Sequence, residues 1–335
     1  MPEDREKDTP RVLLMRSGAI GDWIVTLPVL AALRQAFPQA WIEVLGQSER
    51  AVLACHPCYA QQVTDLARWD VHRLFAPQAA VSREFVAYLA RFTLVVAYLP
   101  APDLEASLRR YCPGTVVHGT PRPATRVHVT EHLFQPLAPL VAPPPQWCPR
   151  VYLAPEAEAA AARFWRAHAL PTTGVVAVHP GSGGPFKLWP LEGWRQLLAW
   201  LRRQGLMALL VSGPAEPPAV AALAAEGWPQ ARHLPLPLLA ALLARCQAFV
   251  GHDSGITHLA AAVGTPVLAL FGPTDPLVWG PRSPRACVLH PPAPAPLTLD
   301  ALPAAVVIDT LAALLEGTFV FTPSAVDCTL RVFPA

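Results

Sequence analysis

The chain has 335 residues, 53% of them hydrophobic and 15% charged, with 26 basic side chains against 24 acidic ones. A formal charge of +2 excludes the dense basic face of a nucleic-acid binder, and the apolar stretches, such as 259–272, are broken by Gly and Pro, unlike a continuous membrane span of about 20 residues. The length fits two domains of roughly 150 residues each.

Met1–Pro10 is charged and polar and lacks the basic-then-apolar layout of a secretory leader, so a cytoplasmic protein is expected. Seven irregularly spaced cysteines fit free, largely buried thiols in a reducing compartment. Cys55-His56-Pro57-Cys58 has no second pair to complete a zinc site.

Arg11–Arg16 (RVLLMR) reads as a buried parallel strand, followed by the loop Ser17–Asp22, a helix over Trp23–Phe37 and a strand over Ala40–Leu45. This is a βαβ opening, and Pro28 should kink its helix. The loop is Gly18-x-x-Gly21-Asp22, not the GxGxxG of a dinucleotide site. Asp22 stands at the carboxyl end of the first strand, where open α/β sheets place ligands. It suits either an N-cap turned onto its own helix or a base turned outward.

The alternation continues with a strand at Gln62–Leu66, a helix at Ala79–Phe92 and a strand at Thr93–Leu99. A helix at Leu104–Tyr111, a strand at Thr115–His118 and a helix at Glu131–Leu140 follow. Arg50, Arg68, Arg73, Arg109, Arg110, Arg122 and Arg126 lie in this half; most suit a solvated surface, and a minority suit an anionic acceptor. Ala142–Pro145, with three consecutive prolines, is the clearest linker, and the domain boundary is expected between Pro143 and Pro171.

Beyond it come a short strand at Arg150–Leu153, a helix at Glu156–His168 and a strand at Gly174–His179. The strand runs into the glycine-rich loop Pro180–Pro190 and the helix Leu191–Arg203, with Pro190 suited to the helix start. Lys187 sits in this loop. Only Lys7 and Lys187 are lysines among the basic residues, so the body of the chain uses Arg everywhere else, as if a compact point charge were wanted here. A solvated loop lysine is the alternative.

Met207–Val211 reads as a strand ending in Ser212–Glu216, then helices at Pro218–Glu226 and Leu238–Cys246. The run Ala248–Val250 forms a strand, His252–Ser254 a turn, and Ile256–Val263 a helix closed by Gly264. Asp253 or Ser254 could simply cap that helix, or the helix start could hold a phosphate. Pro266–Phe271 is a further strand and Asp300–Glu316 a terminal helix; the tail beyond Gly317 carries no clear signal.

Four pieces in order carry a resemblance: SGAIGDWIVTLPVLAALR at Ser17–Arg34, HPGSGGPFKLWPLEGW at His179–Trp194, VGHDSGITHL at Val250–Leu259 and FGPTDP at Phe271–Pro276. With this order and spacing, the sequence from about Arg11 to Pro276 resembles the heptosyltransferase family, glycosyltransferase family 9. The resemblance implies an α/β protein of GT-B architecture, two Rossmann-like domains facing a central cleft. Residues 1–150 would be the acceptor domain and residues 151–335 the nucleotide-sugar donor domain, with the terminal helix 300–316 free to pack back on the first.

The resemblance also implies inverting, metal-independent transfer of a heptose or similar sugar from an ADP-activated donor to a lipopolysaccharide core or related glycan. ADP-heptose is the family default, no cofactor is needed besides the donor substrate, and the sequence contains no Asp-x-Asp metal motif. The family's general base falls on Asp22 and its conserved lysine on Lys187. The donor-binding set becomes Gly21, Ser182, Gly183, Lys187, Glu216, Asp253, Ser254, Gly255 and His258. The N–H groups of Ser254 and Gly255 would meet phosphate, and Glu216 the ribose or base.

The implied partners are a nucleotide sugar and a glycan or lipid-linked glycan, with no nucleic acid. Peripheral contact with the cytoplasmic face of the inner membrane would suit a lipid-linked acceptor, although no amphipathic basic helix commits the chain to it. Two alternatives stay open: a GT-B enzyme using a UDP- or GDP-sugar, as transferase or epimerase, and a non-catalytic nucleotide-sugar-binding protein. Retention of both Asp22 and Lys187 argues against the last.

Overall fold

A computed structural model of the chain describes residues 9–76, 80–101, 103–213, 221–223, 225–291, 298–317 and 331–334. The chain divides into two compact units, Met1–Trp147 and Cys148–Ala335.

The first unit is built on β1 (Arg11–Arg16), β2 (Trp41–Gly46), β3 (Gln62–Asp65), β4 (Leu94–Tyr98) and β5 (Thr115–His118). They form one parallel sheet in the order β3-β2-β1-β4-β5, with Leu13 opposite both Glu43 and Val95. β4 and the interior of β1 (Val12–Met15) are apolar because the middle of a parallel sheet is covered on both faces. The helices are α1 (Ile20–Ile24), α2 (Leu27–Ala36), α3 (Ser48–Ala51), α4 (Arg83–Leu89), α5 (Leu104–Arg109) and α6 (Val129–Phe134). Phe85, Leu89, Leu104 and Leu108 come down from α4 and α5 onto Leu13, Met15 and Val95.

Glu43 is a buried carboxylate in this sheet. It is buried on β2 and accepts hydrogen bonds at one oxygen from Thr64 Oγ1 (2.5 Å) and Tyr88 Oη (2.7 Å). Burial, then the bond to Glu43, pushes the Tyr88 phenol well above its ordinary range, so it stays a donor.

The expected helix 23–37 is two helices. Pro28 sits in the first turn of α2, where its missing N–H costs nothing, and the chain breaks at Val25–Thr26 rather than bending through a continuous helix.

The second unit carries β6 (Val175–His179), β7 (Met207–Ser212), β8 (Gln230–Arg232), β9 (Ala248–His252), β10 (Val267–Leu270), β11 (Ala286–His290) and β12 (Arg331–Pro334). All pair in parallel, in the order β12-β11-β10-β9-β6-β7-β8. Its helices are α7 (Pro155–Ala167), α8 (Leu191–Arg203), α9 (Leu236–Leu243), α10 (Gly255–Ala262), α11 (Pro276–Trp279) and α12 (Ala304–Leu315).

On α8, Trp194, Leu197, Leu198 and Leu201 recur at helical spacing and are buried, while Arg195, Arg202 and Arg203 face outward. Burying each such leucine contributes about 1.5–3 kcal/mol. The terminal helix α12 lays Val307, Leu311 and Leu314 into this same core, against α8, β9 and β10. Gly264 ends α10 at φ +88°, the left-handed position a side chain would strain.

Several expected elements differ. Arg150–Leu153 is not a strand: the Val151 N–H donates to the Ala262 carbonyl (2.9 Å), satisfying the end of α10 instead of a ladder. Glu131–Leu140 is α6 followed by a 3-10 turn at Gln135–Leu137, where Pro136 cannot continue an α-helix. The helix expected at Ala79–Phe92 is the shorter α4, and that at Pro218–Glu226 lies partly outside the described residues.

Cys112, Cys246 and Cys287 are buried free thiols, as expected. Cys55 and Cys58 are exposed, and Cys148 is disulfide-bonded, so the expectation of free, buried thiols does not extend to these three. Burial pushes the Cys112 and Cys246 thiols up to about 12, which keeps them protonated and inert. Among the described residues, no helix is long and apolar enough to cross a membrane.

Candidate functional site

In an open parallel sheet, two neighbouring strands whose crossovers leave in opposite directions open a crevice at their carboxyl ends. In the second unit that point lies between β6 and β9, so the loop after β6 and the turn after β9 are brought together. Lys187 Nζ lies 2.5 Å from Asp253 Oδ2, with the two side chains 33% and 10% exposed. Ser182 Oγ donates to the Asp253 carbonyl (3.3 Å). The structure thereby joins Ser182, Lys187, Asp253 and Ser254, all expected site residues, with Gly183 on the same loop.

Ser254 is the N-cap of α10, its Oγ accepting from the Thr257 N–H (3.4 Å) and lying 3.3 Å from His179 Nδ1. Capping occupies one of the first free N–H groups, while those of Gly255 and Ile256 come too early in the helix for an intrahelical partner. Both readings of this turn therefore hold together: a side-chain cap, and a helix start whose dipole and leading amides suit an anion. His258 is buried one turn into α10. Glu216 lies outside the described residues.

In the first unit the switch point lies between β1 and β4; the helix after β1 begins at Ile20, earlier than expected, and Asp22 is in its first turn. Its Oδ2 accepts the Ala19 N–H (2.7 Å) and its Oδ1 accepts from Arg16 Nη2 (3.1 Å). Asp22 thus closes its own helix start and also carries an ion pair, and its side chain remains 28% exposed. Each carboxylate oxygen keeps a second lone pair with which to accept a further hydrogen bond. Gly21 is the second residue of α1, beside Asp22 at the same carboxyl end of the sheet.

Arg16 was not foreseen. Its guanidinium is fully buried, stacked 5.8 Å from the Tyr98 ring centroid. Burial pulls it below its ordinary range, while Asp22 and then Tyr98 act in the opposite direction. Of the candidate acceptor arginines, Arg73 pairs with Asp70 (3.4 Å) and Arg109 with Glu105 (2.5 Å), and Arg50 donates to the Gly18 carbonyl (2.7 Å).

Gly18 sets how closely this loop folds. At φ +136°, a Cβ there would sit 2.5 Å from Asp22 Oδ2. Gly18→Ala is expected to destabilise the protein by about 1–3 kcal/mol and to lower activity as the Asp22 carboxylate is displaced. Thermal unfolding alongside turnover checks this, and an unchanged melting temperature would contradict the strain.

Among the described residues, no group of three or more His, Cys, Asp or Glu is placed to hold a metal ion.

Residues 127–296 match the model of glycosyltransferase family 9 (heptosyltransferase). The chain is 30% identical over 292 residues to lipopolysaccharide heptosyltransferase 1 of Pseudomonas aeruginosa, covering 79% of each protein. Among solved structures, a family 9 glycosyl transferase from Veillonella parvula superposes with a TM-score of 0.77 at 21% identity, covering 92% of this chain and 98% of that one. The Escherichia coli heptosyltransferase WaaC, solved with ADP, gives a TM-score of 0.69 at 23% identity, covering 91% and 99%. These structural likenesses establish the GT-B fold of two Rossmann-like units, and the match over the site-bearing second unit, together with the long relative, establishes the lineage. The chain belongs to glycosyltransferase family 9, the heptosyltransferases, and is a glycosyltransferase.

Proposed function

We propose that this protein moves a heptose, or a closely similar sugar, from an ADP-activated donor to a hydroxyl of a lipopolysaccharide core or related glycan, with inversion and without a metal ion. The observation that carries the reading is the juxtaposition of Lys187, Asp253 and the capped start of α10 at the switch point of the second unit. It combines a lysine cation with leading helix amides, the combination a diphosphate needs. The heptose and the lipopolysaccharide acceptor come from the relative at 30% identity, and ADP from the solved heptosyltransferase of the same fold.

In this reading residues 151–335 hold the donor and residues 1–150 the acceptor. Asp22 accepts the proton of the acceptor hydroxyl as that oxygen attacks the anomeric carbon. The bond from this carbon to the β-phosphate oxygen breaks, ADP leaves, and Lys187 offsets its charge. Gly21, Ser182, Gly183, Ser254, Gly255 and His258 complete the donor surroundings, and Glu216 is assigned to the ribose or base. A lipid-linked acceptor puts the reaction in the cytoplasm at the inner membrane face, through peripheral contact.

A helix start facing an anion contributes about 0.3–1 kcal/mol when exposed and up to about 2 when partly buried, enough to place a diphosphate but not to expel it. Thermal unfolding with ADP, UDP and GDP in parallel tests the donor. A rise with ADP alone is expected, growing as the logarithm of free nucleotide above its Kd. A rise confined to UDP or GDP would reject the ADP assignment, and no rise with any of them would reject nucleotide binding.

A further inference from the structure

His252 is the last residue of β9 and its side chain is fully buried. Its Nε2 lies 2.8 Å from the backbone nitrogen of Trp189, whose N–H points at it. A nitrogen that accepts an N–H carries no proton of its own, so the ring is neutral and its hydrogen is on Nδ1. Nδ1 faces the Gly181 carbonyl at 3.3 Å, an acceptor, which matches that tautomer. Gly181 and Trp189 bracket the segment that carries Ser182, Gly183 and Lys187. One imidazole therefore bridges both ends of the glycine-rich loop.

The bracket is itself braced. The His252 ring meets Trp194 edge-on at 5.2 Å, Trp194 meets Trp189 at 5.0 Å, and Trp189 Nε1 donates to the Leu302 carbonyl (2.9 Å). The His252 carbonyl accepts from Thr257 Oγ1, which ties the same residue to the first turn of α10. The next residue, Asp253, holds the middle of the loop through Ser182 and Lys187. A loop with several glycines has many conformations to lose on binding, and fixing its ends beforehand removes much of that cost.

We propose that His252, as the neutral Nδ1–H tautomer, is a positioning residue that clamps both ends of the donor loop and so presets Lys187 for the diphosphate. The proposal rests on the donor-site reading above.

The test compares His252→Leu, His252→Gln and Lys187→Ala by calorimetric ADP affinity, donor KM and kcat, at a temperature where unfolding curves show each fully folded. His252→Leu strands the Trp189 N–H and the Gly181 carbonyl and is expected to weaken ADP binding about tenfold to a hundredfold, mostly in KM. Gln offers an amide oxygen to Trp189 and an amide N–H to Gly181, and is expected to restore affinity to within about threefold. A Leu variant that binds like the parent, or a Gln variant no better than Leu, overturns the clamp.

Unchanged ADP affinity in Lys187→Ala rejects the donor-site reading itself; loss there without loss in His252→Leu rejects only the clamp. Should the Leu variant not fold, ring correlations of 15N-labelled protein decide, with His252→Gln identifying the signal. An Nδ1–H pattern perturbed by ADP supports the proposal, and an Nε2–H or doubly protonated ring overturns it.

Discussion

Asp22→Asn is expected to lower turnover by at least about 100-fold while leaving ADP affinity within about threefold, because a base acts on the transition state and not on donor binding. The geometry adds a second effect. Asp22 accepts from Arg16 at one oxygen and from the Ala19 N–H at the other, so an amide must turn its NH2 toward one of these donors. It also removes the anion facing a fully buried guanidinium. Breaking a fully buried pair from one side costs about 3–5 kcal/mol, and the partial exposure of Asp22 makes that a ceiling. A lower melting temperature should therefore accompany the loss. Release of ADP in the presence of a lipopolysaccharide core oligosaccharide, measured where the variant is folded, separates the two effects. Turnover equal to the parent would remove Asp22 from the chemistry.

Lys187→Ala should lose both affinity and rate, the rate by about 100-fold to 1,000-fold, the range for deleting one preorganised charge stabiliser. Asp253 explains why affinity falls as well. Its carboxylate, only 10% exposed, has the lysine ammonium as an ion-pair partner at 2.5 Å. In the proposed donor site, losing that ammonium leaves an anion next to the diphosphate, and the two repel. Lys187→Ala/Asp253→Asn should then bind ADP more tightly than Lys187→Ala alone while staying slow, a non-additivity that a double-mutant cycle measures directly. Additive losses would show that Asp253 does not act through the lysine. Lys187→Arg should rescue only in part, since a planar fork does not replace a compact charge in a glycine loop.

The central strands were legible because they are apolar runs, and β1, β4, β6, β9 and β10 all fall where the sequence places them. The peripheral ones were not. β8 is three residues long at a sheet edge, and β12 lies in a tail with no periodicity. Asp22, Lys187 and the turn at Asp253 stood out by residue type and position at strand ends. Arg16 did not, as an arginine closing an apolar strand reads as its solvent end until the fold buries it. His252 was equally silent, because its partners Trp189 and Gly181 are 63 and 71 positions away and no local pattern announces them.

That separation also bears on how the protein reaches its native state. β6 and β9 are adjacent in the sheet, yet α8, β7, β8 and α9 lie between them in the chain, so their pairing closes a long loop before it returns any contact energy. The contacts that join the loop after β6 to the end of β9 and the start of α10, from Trp189–His252 to His179–Ser254, span 63 to 75 residues and all depend on that closure. A chain in which only the local β6-to-β8 half has formed lacks all of these contacts. If the proposed donor site is right, nucleotide binding reports on the completed sheet, and a ligand present during folding can trap only molecules in which β6 and β9 have already paired.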